Sequence, residues 1–188
     1  MRNILVVLSG PSGVGKGTVA KLICERNSKM CLSISATTRK PRTNEVDGRE
    51  YFFVSKEQFS NKVKENGFLE YSEHFQNYYG TPKEYVIDKL NDYDVMLEID
   101  VNGGLNVKQN YPNAVLIMIM PPSIEEIKNR LIKRNTETLE KIELRMQRIG
   151  YELEKQDQYD YKVVNDDLMK TVEQIEKIIS NEKNKQTV

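Results

Sequence analysis

Runs of apolar residues alternate with amphipathic stretches along most of the chain, and this alternation predicts strands that alternate with helices. The predicted strands lie at 4–8, 29–35, 94–100, 114–120 and 162–165. The predicted helices lie at 18–26, 103–110, 123–133 and 166–180, and the polar residues 181–188 are expected to fray. Because the run at 114–120 is continuously apolar, we expect its strand to be covered on both faces. The pattern therefore predicts an α/β fold with a mostly parallel sheet flanked by helices.

The middle of the chain departs from this alternation, because its strand patterns are short, rich in aromatic residues and antiparallel in character. These strands are predicted at 50–55 and 68–75, and short helices at 55–64 and 83–90. We expect one domain in which residues 1–35 and 92–188 form the core and residues 36–91 form a small inserted α/β lobe. The cation-rich connection between helices at 130–150 is expected to form a helical lid.

The glycine-rich segment Ser9–Thr18 lies between the first predicted strand and the first predicted helix. Its glycines allow successive backbone N–H groups to converge on a phosphate, towards which the helix also points its positive end. Lys16 adds a mobile cation. A serine or threonine usually follows this lysine and binds Mg²⁺, but here Gly17 follows it and the hydroxyl belongs to Thr18. The segment predicts a phosphate-binding loop whose metal ion keeps more of its water.

Two carboxylates and two arginines are candidate partners of this loop. Glu98 and Asp100 are two residues apart, so on a strand they would share a face near its carboxyl end. Ligands of open α/β sheets bind at that end, and carboxylates there suit Mg²⁺. Arg39 and Arg42 flank Pro41 on an extended segment and suit a phosphate or a carboxylate. A solvated basic loop would give the same pattern, so this signal is weak by itself.

Composition and charge restrict the partners of the protein. The 28 basic residues equal the 28 acidic residues in number, whereas proteins that bind nucleic acid usually carry a basic surface. The apolar run at 114–122 is too short to span a bilayer, and the N-terminus shows no signal peptide. Cys24 and Cys31 lack metal-ligand spacing and are expected to be reduced thiols. We expect a cytoplasmic protein that binds neither nucleic acid nor membrane, and the oligomeric state is not indicated.

The motifs, in their order along the chain, resemble those of the guanylate kinase family over nearly the whole length. They are GPSGVGKGT (10–18), SISATTRKPR (33–42), DGREYFF (47–53), GFLEY (67–71), NYYGTP (77–82), LEIDVNG (97–103), PPS (121–123), RLIKRNTET (130–138) and VVND (163–166). This resemblance implies a fold of the P-loop NTPase type, with a GMP-binding lobe. It also implies transfer of a phosphoryl group from ATP to GMP with Mg²⁺ as cofactor, and it leaves open whether dGMP is accepted.

The resemblance further implies roles for individual residues. ATP would be bound by Gly10, Pro11, Ser12, Gly13, Val14, Gly15, Lys16, Gly17 and Thr18, and Asn165 would lie beside its adenine. The residues that would bind GMP are Ser35, Glu70 and Thr81 at the guanine, Arg39, Arg42, Tyr51 and Tyr79 at the phosphate, and Asp100. The catalytic residues would be Lys16, Arg134 and Arg145, with Arg130 close by. Mg²⁺ would be held by Asp100 and Thr18, partly through water.

Two other functions remain open from the sequence. The GKGT loop also occurs in adenylate kinases, so the loop alone does not exclude AMP as the acceptor. Glu70 argues against AMP, because a carboxylate matches the two adjacent donors of guanine, and the hydroxyls of Ser35 and Thr81 can donate to guanine O6. Inactive binding modules of the family have lost the loop lysine, whereas Lys16 is present here.

Two positions depart from the pattern of the family. Asn102 stands where the family commonly has Gln, and Asn135 stands where it commonly has Gly. Neither change removes a charge, so we expect them to alter details of the lid rather than activity. The single histidine, His74, receives no predicted role.

Overall fold

The computed structural model describes residues 3–74, 76–133 and 139–185, and for 129–131, 133 and 139–145 only the backbone is described. In chain order its elements are β1 (Leu5–Ser9), α1 (Lys16–Arg26), β2 (Met30–Leu32), β3 (Ser35–Thr37), β4 (Tyr51–Phe53), α2 (Lys56–Lys64), β5 (Phe68–His74), β6 (Asn77–Pro82), α3 (Lys83–Lys89), β7 (Asp94–Glu98), α4 (Val101–Asn110), β8 (Val115–Met120), α5 (Ile124–Lys133), α6 (Leu139–Leu153), β9 (Tyr161–Val164) and α7 (Leu168–Lys185). Within the described ranges, no helix is long and apolar enough to cross a membrane.

The larger of two sheets is parallel throughout, in the order β2-β7-β1-β8-β9. Its central strand, β1, is buried along its whole length, and its side chains alternate between two apolar clusters. Val6 joins the cluster that contains Ile23 of α1, whereas Val7 joins the cluster that contains Val107 of α4. Helices therefore cover both faces of the sheet, and the predicted α/β fold class is confirmed.

The smaller sheet has the order β4-β3-β6-β5. Strand β6, which is not among the predicted strands, is antiparallel to both β3 and β5, and this fits the antiparallel character expected of the region. Strands β3 and β4 are parallel. Phe59 of α2 packs against this sheet, with its ring 4.4 Å from that of Phe68 and 5.5 Å from that of Tyr78 between centroids. Helix α2 begins after a capping box, in which Ser55 and Gln58 exchange two hydrogen bonds.

The prediction of one strand at 29–35 is wrong, because the segment forms two strands in different sheets. Strand β2 pairs with β7 of the larger sheet, and Ser33 N makes one more hydrogen bond to Met96 O at 2.9 Å. The chain then crosses to the smaller sheet, where β3 begins at Ser35. Alternation of polar and apolar residues identifies extended backbone, but it contains no information about which sheet the backbone joins.

Two predicted ends of elements also differ from the structure. Strand β7 ends at Glu98, and Asp100 caps α4 by accepting a hydrogen bond from Gly103 N at 2.8 Å. Glu98 and Asp100 therefore do not share a strand face, because Asp100 has left the strand. Helix α7 continues to Lys185, whereas residues from 181 onwards were expected to fray. Its last turns have partners in the core, among them the ion pair of Lys183 with Asp94.

The Asp94–Lys183 pair yields a prediction about stability. Asp94 is 1% exposed, and its carboxylate accepts from Ile4 N at 3.0 Å and from Lys183 Nζ at 2.7 Å. Lys183→Met would remove the cation from a buried carboxylate, and we expect it to lower the free energy of unfolding by about 3 kcal/mol. Lys185→Met, on the same helix but exposed, should have a much smaller effect, because solvent screens its ion pair with Glu182. Urea unfolding followed by circular dichroism measures both changes. Equal effects of the two substitutions would contradict the prediction.

Candidate active site

The loop between β1 and α1 takes a path that only glycine permits at two positions. Gly10 has φ +149°, and a Cβ there would lie 2.3 Å from the carbonyl oxygen of Ile119 in β8. Gly15 has φ +101° and is the N-cap residue of α1. The loop therefore leaves the sheet in direct contact with the backbone of β8, and it ends where α1 presents its free N–H groups.

Lys16, the first residue of α1, has its ammonium group at the loop. Its Nζ donates to the carbonyl oxygens of Gly10 at 2.6 Å and of Pro11 at 3.2 Å. Burial lowers the pKa of Lys16, and the positive charge of Arg148 acts in the same direction. The carboxylates whose charge opposes this shift are Glu98, Glu152 and Asp100. A partly buried ammonium beside a loop of N–H donors is suited to bind an anion with several oxygen atoms.

Asn165 supports the loop from the core. Its side chain is buried, donates to Val14 O at 2.8 Å and accepts from the hydroxyl of Thr171 at 3.1 Å. A Cβ on Gly15 would lie only 2.8 Å from Asn165 Nδ2, which is a second reason for glycine at that position. These contacts give Asn165 a role in holding the loop. The contact with adenine stays a prediction.

The structure gives a physical reason for the glycine that follows Lys16. A Cβ on Gly17 would lie 3.3 Å from both carboxylate oxygens of Glu98, which is closer than side chains usually approach. Gly17 therefore allows Glu98 to lie against the first turn of α1. Thr18, the predicted metal ligand, is exposed on the same turn.

Asp100 is contacted from three parts of the molecule. Its Oδ1 accepts from Gly103 N in α4, and its Oδ2 lies 3.3 Å from His74 Nε2 of β5 and 3.3 Å from Arg148 Nη2 of α6. The structure therefore brings Asp100 into contact with His74, for which the sequence predicted no role. The core, the smaller sheet and α6 meet at this one carboxylate.

Sequence reasoning missed the buried Glu152, which lies next to this cluster. Its Oε1 accepts from Arg148 Nε at 3.0 Å, and its buried Oε2 has no hydrogen-bond partner among the described residues. Arg148 therefore bridges Glu152 and Asp100. The spacing of Arg148 and Glu152, four residues apart on a helix, was the signal that could have identified the pair.

Glu70 and Thr81, two predicted guanine ligands, are hydrogen-bonded partners across β5 and β6. The hydroxyl of Thr81 donates to Glu70 Oε1 at 2.6 Å, and both residues are buried. Ser35, the first residue of β3, is next to Ala36, which pairs with Gly80, so it lies near Thr81 in register. Because a hydroxyl has one proton, Thr81 in this arrangement offers a ligand only lone pairs. Of the two predicted guanine ligands with a hydroxyl group, Ser35 is then the one whose proton is available to a ligand.

Three of the predicted phosphate ligands are in contact with one another. The guanidinium of Arg39 lies over the ring of Tyr51 at 5.3 Å, and the rings of Tyr51 and Tyr79 are 6.1 Å apart. Sequence reasoning missed Glu45, which pairs with Arg39 and accepts from Arg42 N at 2.8 Å. These hydrogen bonds lower the pKa of Glu45 to about 2, so this carboxylate is ionised at neutral pH.

The predicted lid residues are described only in part. Arg130 lies in α5 and Arg145 in α6, but their side chains are outside the described residues. Arg134 and Asn135 lie entirely outside the described residues. Asn102, the other departure from the family pattern, accepts a hydrogen bond from Lys155, which follows α6.

A parallel sheet whose first strand leads through a glycine loop into a helix, with a lysine at the loop, defines the P-loop NTPase type of fold. The family model that matches residues 2–182 is described as guanylate kinase. This chain belongs to the guanylate kinase family, and the predicted resemblance is confirmed.

Relatives and a solved structure agree with this assignment. A guanylate kinase of Clostridium tetani is 51% identical over 183 residues, which cover 97% of this chain and 88% of that protein. A guanylate kinase of Caldanaerobacter subterraneus subsp. tengcongensis is 49% identical, with 97% and 89% covered. The crystal structure of guanylate kinase from Anaplasma phagocytophilum is similar with a TM-score of 0.75 at 31% identity, covering 96% of this chain and 86% of that chain.

The buried carboxyl group of Glu70 yields a prediction about pH. Burial raises the pKa of Glu70 to about 7 from an ordinary value of 4.5, against the hydrogen bond from Thr81. Between these values the folded protein retains a proton that the unfolded chain releases, so the free energy of unfolding falls as the pH rises. Glu70→Gln removes this ionisation. We expect the variant to be more stable than the wild type by about 2–3 kcal/mol at pH 8, with no such advantage at pH 4.

Urea unfolding of the wild type and of Glu70→Gln at the two pH values tests this expectation. Glu73→Gln, at an exposed position of the same strand, is the matched control and should show no such dependence on pH. If the stability difference between Glu70→Gln and the wild type were the same at both pH values, Glu70 would ionise in its ordinary range.

Proposed function

We propose that this protein is a guanylate kinase, which transfers the terminal phosphoryl group of ATP to GMP and produces ADP and GDP. Membership of the guanylate kinase family and relatives of that name support the proposal. The observation that carries it is the buried Glu70–Thr81 pair, because an ionised carboxylate presents two acceptors in a fork. Guanine presents two adjacent donors, N1–H and the N2 amino group, in the matching arrangement.

The same pair provides a physical reason for rejecting adenine. Adenine has an acceptor at N1, so AMP would set a lone pair against the carboxylate of Glu70 and would not supply the two adjacent donors that guanine offers. Since the proton of Thr81 is directed to Glu70, we propose that Ser35 donates to guanine O6. Thr81 then contributes mainly by orienting Glu70, which refines the expectation that both hydroxyls donate to O6.

The phosphate of GMP would be bound by Arg39, Arg42, Tyr51 and Tyr79. Guanidinium groups bind phosphate in a bidentate manner, and phenolic hydroxyls can donate to the remaining oxygens. The contacts of Arg39 with the ring of Tyr51, and of that ring with Tyr79, support this grouping. Asp100, which caps the helix facing the smaller sheet, would complete the GMP site.

We propose direct in-line transfer between the two bound nucleotides. The loop 10–18 would hold the phosphates of ATP through its N–H groups, and Asn165 would lie by the adenine. Lys16, Arg134 and Arg145 would stabilise the charge on the transferred group. Such a reaction requires positioning and charge stabilisation and needs no covalent intermediate with the protein.

Mg²⁺ is the cofactor that we propose, bound to the phosphates near Thr18 and Asp100. Oxygen donors of this kind fit a hard cation, which would supply neutralisation of phosphate charge. Asp100 already accepts from Gly103 N, and its other carboxylate oxygen lies 3.3 Å from a nitrogen of His74 and 3.3 Å from a nitrogen of the Arg148 guanidinium. Contact through water is therefore the arrangement that its surroundings favour, and the exposed Thr18 can hold a water molecule in the same way.

The assignment of the loop is tested by Lys16→Met. We expect it to lower turnover by roughly 10²–10³, because one preorganised electrostatic contact with the transferred phosphoryl group is lost. Lys21→Met, at an exposed position of the same helix, should leave turnover unchanged. A coupled assay of ADP formation with ATP and GMP measures both variants, and circular dichroism verifies folding. Near-normal turnover in a folded Lys16→Met protein would refute the role of the loop.

The assignment of the base is tested by Glu70→Gln with GMP and AMP as acceptors. We expect the wild type to prefer GMP by roughly 10⁴–10⁵ in kcat/KM, as sites built to hydrogen-bond a substrate do. In the variant an amide donor would meet one of the guanine donors, so kcat/KM for GMP should fall about 10²-fold. The GMP:AMP ratio should also fall, since an amide can donate to adenine N1. Glu73→Gln serves as the control, and an unchanged ratio in Glu70→Gln would mean that Glu70 does not read the base.

A further inference from the structure

The Arg39–Glu45 pair is a fork of two parallel hydrogen bonds. Nη1 of Arg39 donates to Glu45 Oε2 at 2.7 Å, and Nη2 donates to Oε1 at 2.9 Å. The side chains of the two residues are only 18% and 15% exposed, so solvent screens this pair less than an open surface pair. Nη1 also donates to the carbonyl oxygen of Lys40 at 2.9 Å. The outer edge of the guanidinium, which consists of one hydrogen of Nη1 and one of Nη2, is therefore fully occupied by Glu45.

Aromatic rings restrict the same guanidinium from its face. Its central carbon lies 5.3 Å from the ring centroid of Tyr51 and 5.7 Å from that of Phe53, within the range of cation–π attraction. The two rings belong to β4 and are 6.0 Å apart. Hydrogen bonds at the edge and rings at the face together hold Arg39 in one orientation.

Glu45 also orders the turn that carries the second predicted phosphate ligand. Its Oε2 accepts from Arg42 N at 2.8 Å, and its own backbone N donates to Arg42 O at 3.0 Å. One carboxylate therefore fixes the orientation of the Arg39 guanidinium and the position of the Arg42 backbone. Glu45 lowers the positive charge of the site, so it would not itself attract a phosphate. Its contribution would be to hold the arginines in position.

The hydrogen bonds leave a second donor edge on Arg39. A guanidinium has five N–H groups, and Glu45 and the Lys40 carbonyl account for three of them. The Nε–H and the second hydrogen of Nη2 form a side edge, which matches two oxygens of a phosphate as well as the outer edge does.

We infer that Glu45 is a positioning residue, which holds the outer edge of Arg39 and the turn at Arg42 so that the side edge of Arg39 faces the acceptor phosphate. This inference rests on the proposed function, in which the smaller sheet binds GMP. The opposite role would be that of a competitor, in which Glu45 occupies the position of the phosphate and must be displaced. The two roles predict opposite changes in affinity when the carboxylate is removed.

The experiment compares Glu45→Gln with Glu50→Gln. Glu50 is a matched control, because it lies in the same loop and likewise accepts from an arginine, Arg49 Nε at 2.6 Å, and from a backbone N–H, that of Val46, at 2.8 Å. Arg49 is not among the proposed phosphate ligands. Binding of GMP and of guanosine, which has no phosphate, is measured by calorimetry, and KM for GMP and for ATP is measured by the coupled assay.

We expect Glu45→Gln to weaken GMP binding and raise KM for GMP about tenfold, because the amide cannot form the charged fork that orients Arg39. Guanosine binding and KM for ATP should not change, and Glu50→Gln should match the wild type in every measurement. Tighter GMP binding in Glu45→Gln would identify a competitor and overturn the inference. An equal loss for GMP and guanosine would mean that Glu45 only maintains the fold of the loop, and unchanged GMP binding would mean that it has no role.

A second variant tests whether Glu45 acts through Arg39. Arg39→Lys keeps the positive charge but lacks the two-edged fork, so GMP binding should weaken. In this background Glu45→Gln should have little further effect, because the guanidinium that Glu45 orients is absent and the amide oxygen of Gln can still accept from Arg42 N. A further tenfold loss in the Arg39→Lys background would overturn the inference. If the wild type neither bound nor phosphorylated GMP, the proposed function itself would fail, which is a result distinct from any of these.

Discussion

The contact between the loop and strand β8 is the constraint on which the rest of the site depends. At Gly10 the chain passes so close to the carbonyl of Ile119 that no side chain fits, and Asn165 holds Val14 from the other side of the loop. The loop is therefore fixed to the carboxyl edge of the parallel sheet by backbone contacts. Because α1 begins directly after it, the position of Lys16 follows from the position of the sheet.

Acidic residues organise a site whose proposed ligands are mostly anionic. Glu45 holds Arg39, Glu152 holds Arg148, and Glu98 lies against the first turn of α1. Each of these acids contacts a cation or a helix start, so they fix positively charged groups in place rather than add to the binding of phosphate. A long cationic side chain without such a partner would lose rotamer freedom when it bound a ligand, and that loss would weaken binding.

The order of the elements and the phosphate loop could be predicted from the sequence, because apolar periodicity and the glycine pattern are local signals. The division of residues 29–35 between two sheets could not, since alternation does not specify the partner of a strand. Glu45 and Glu152 were missed because their contacts depend on tertiary geometry, although the spacing of Arg148 and Glu152 fits a helical pair. The hydrogen bond from Thr81 to Glu70 was equally hidden, because it depends on the pairing of β5 with β6.

Two side chains of the proposed site, Glu70 and Lys16, carry charges that burial disfavours, and the proposed ligands offer a partner to each of them. Burial raises the pKa of Glu70 and lowers that of Lys16, so in both cases the charged form is held at a cost to stability. Guanine brings two donors to the carboxylate of Glu70, and a polyphosphate offers Lys16 charged acceptors in place of the carbonyls of Gly10 and Pro11. The same buried charges therefore lower the stability of the protein without ligand and make the proposed site selective. A ligand that supplies no hydrogen-bond partner for such a charge leaves it unpaired, and the site rejects that ligand.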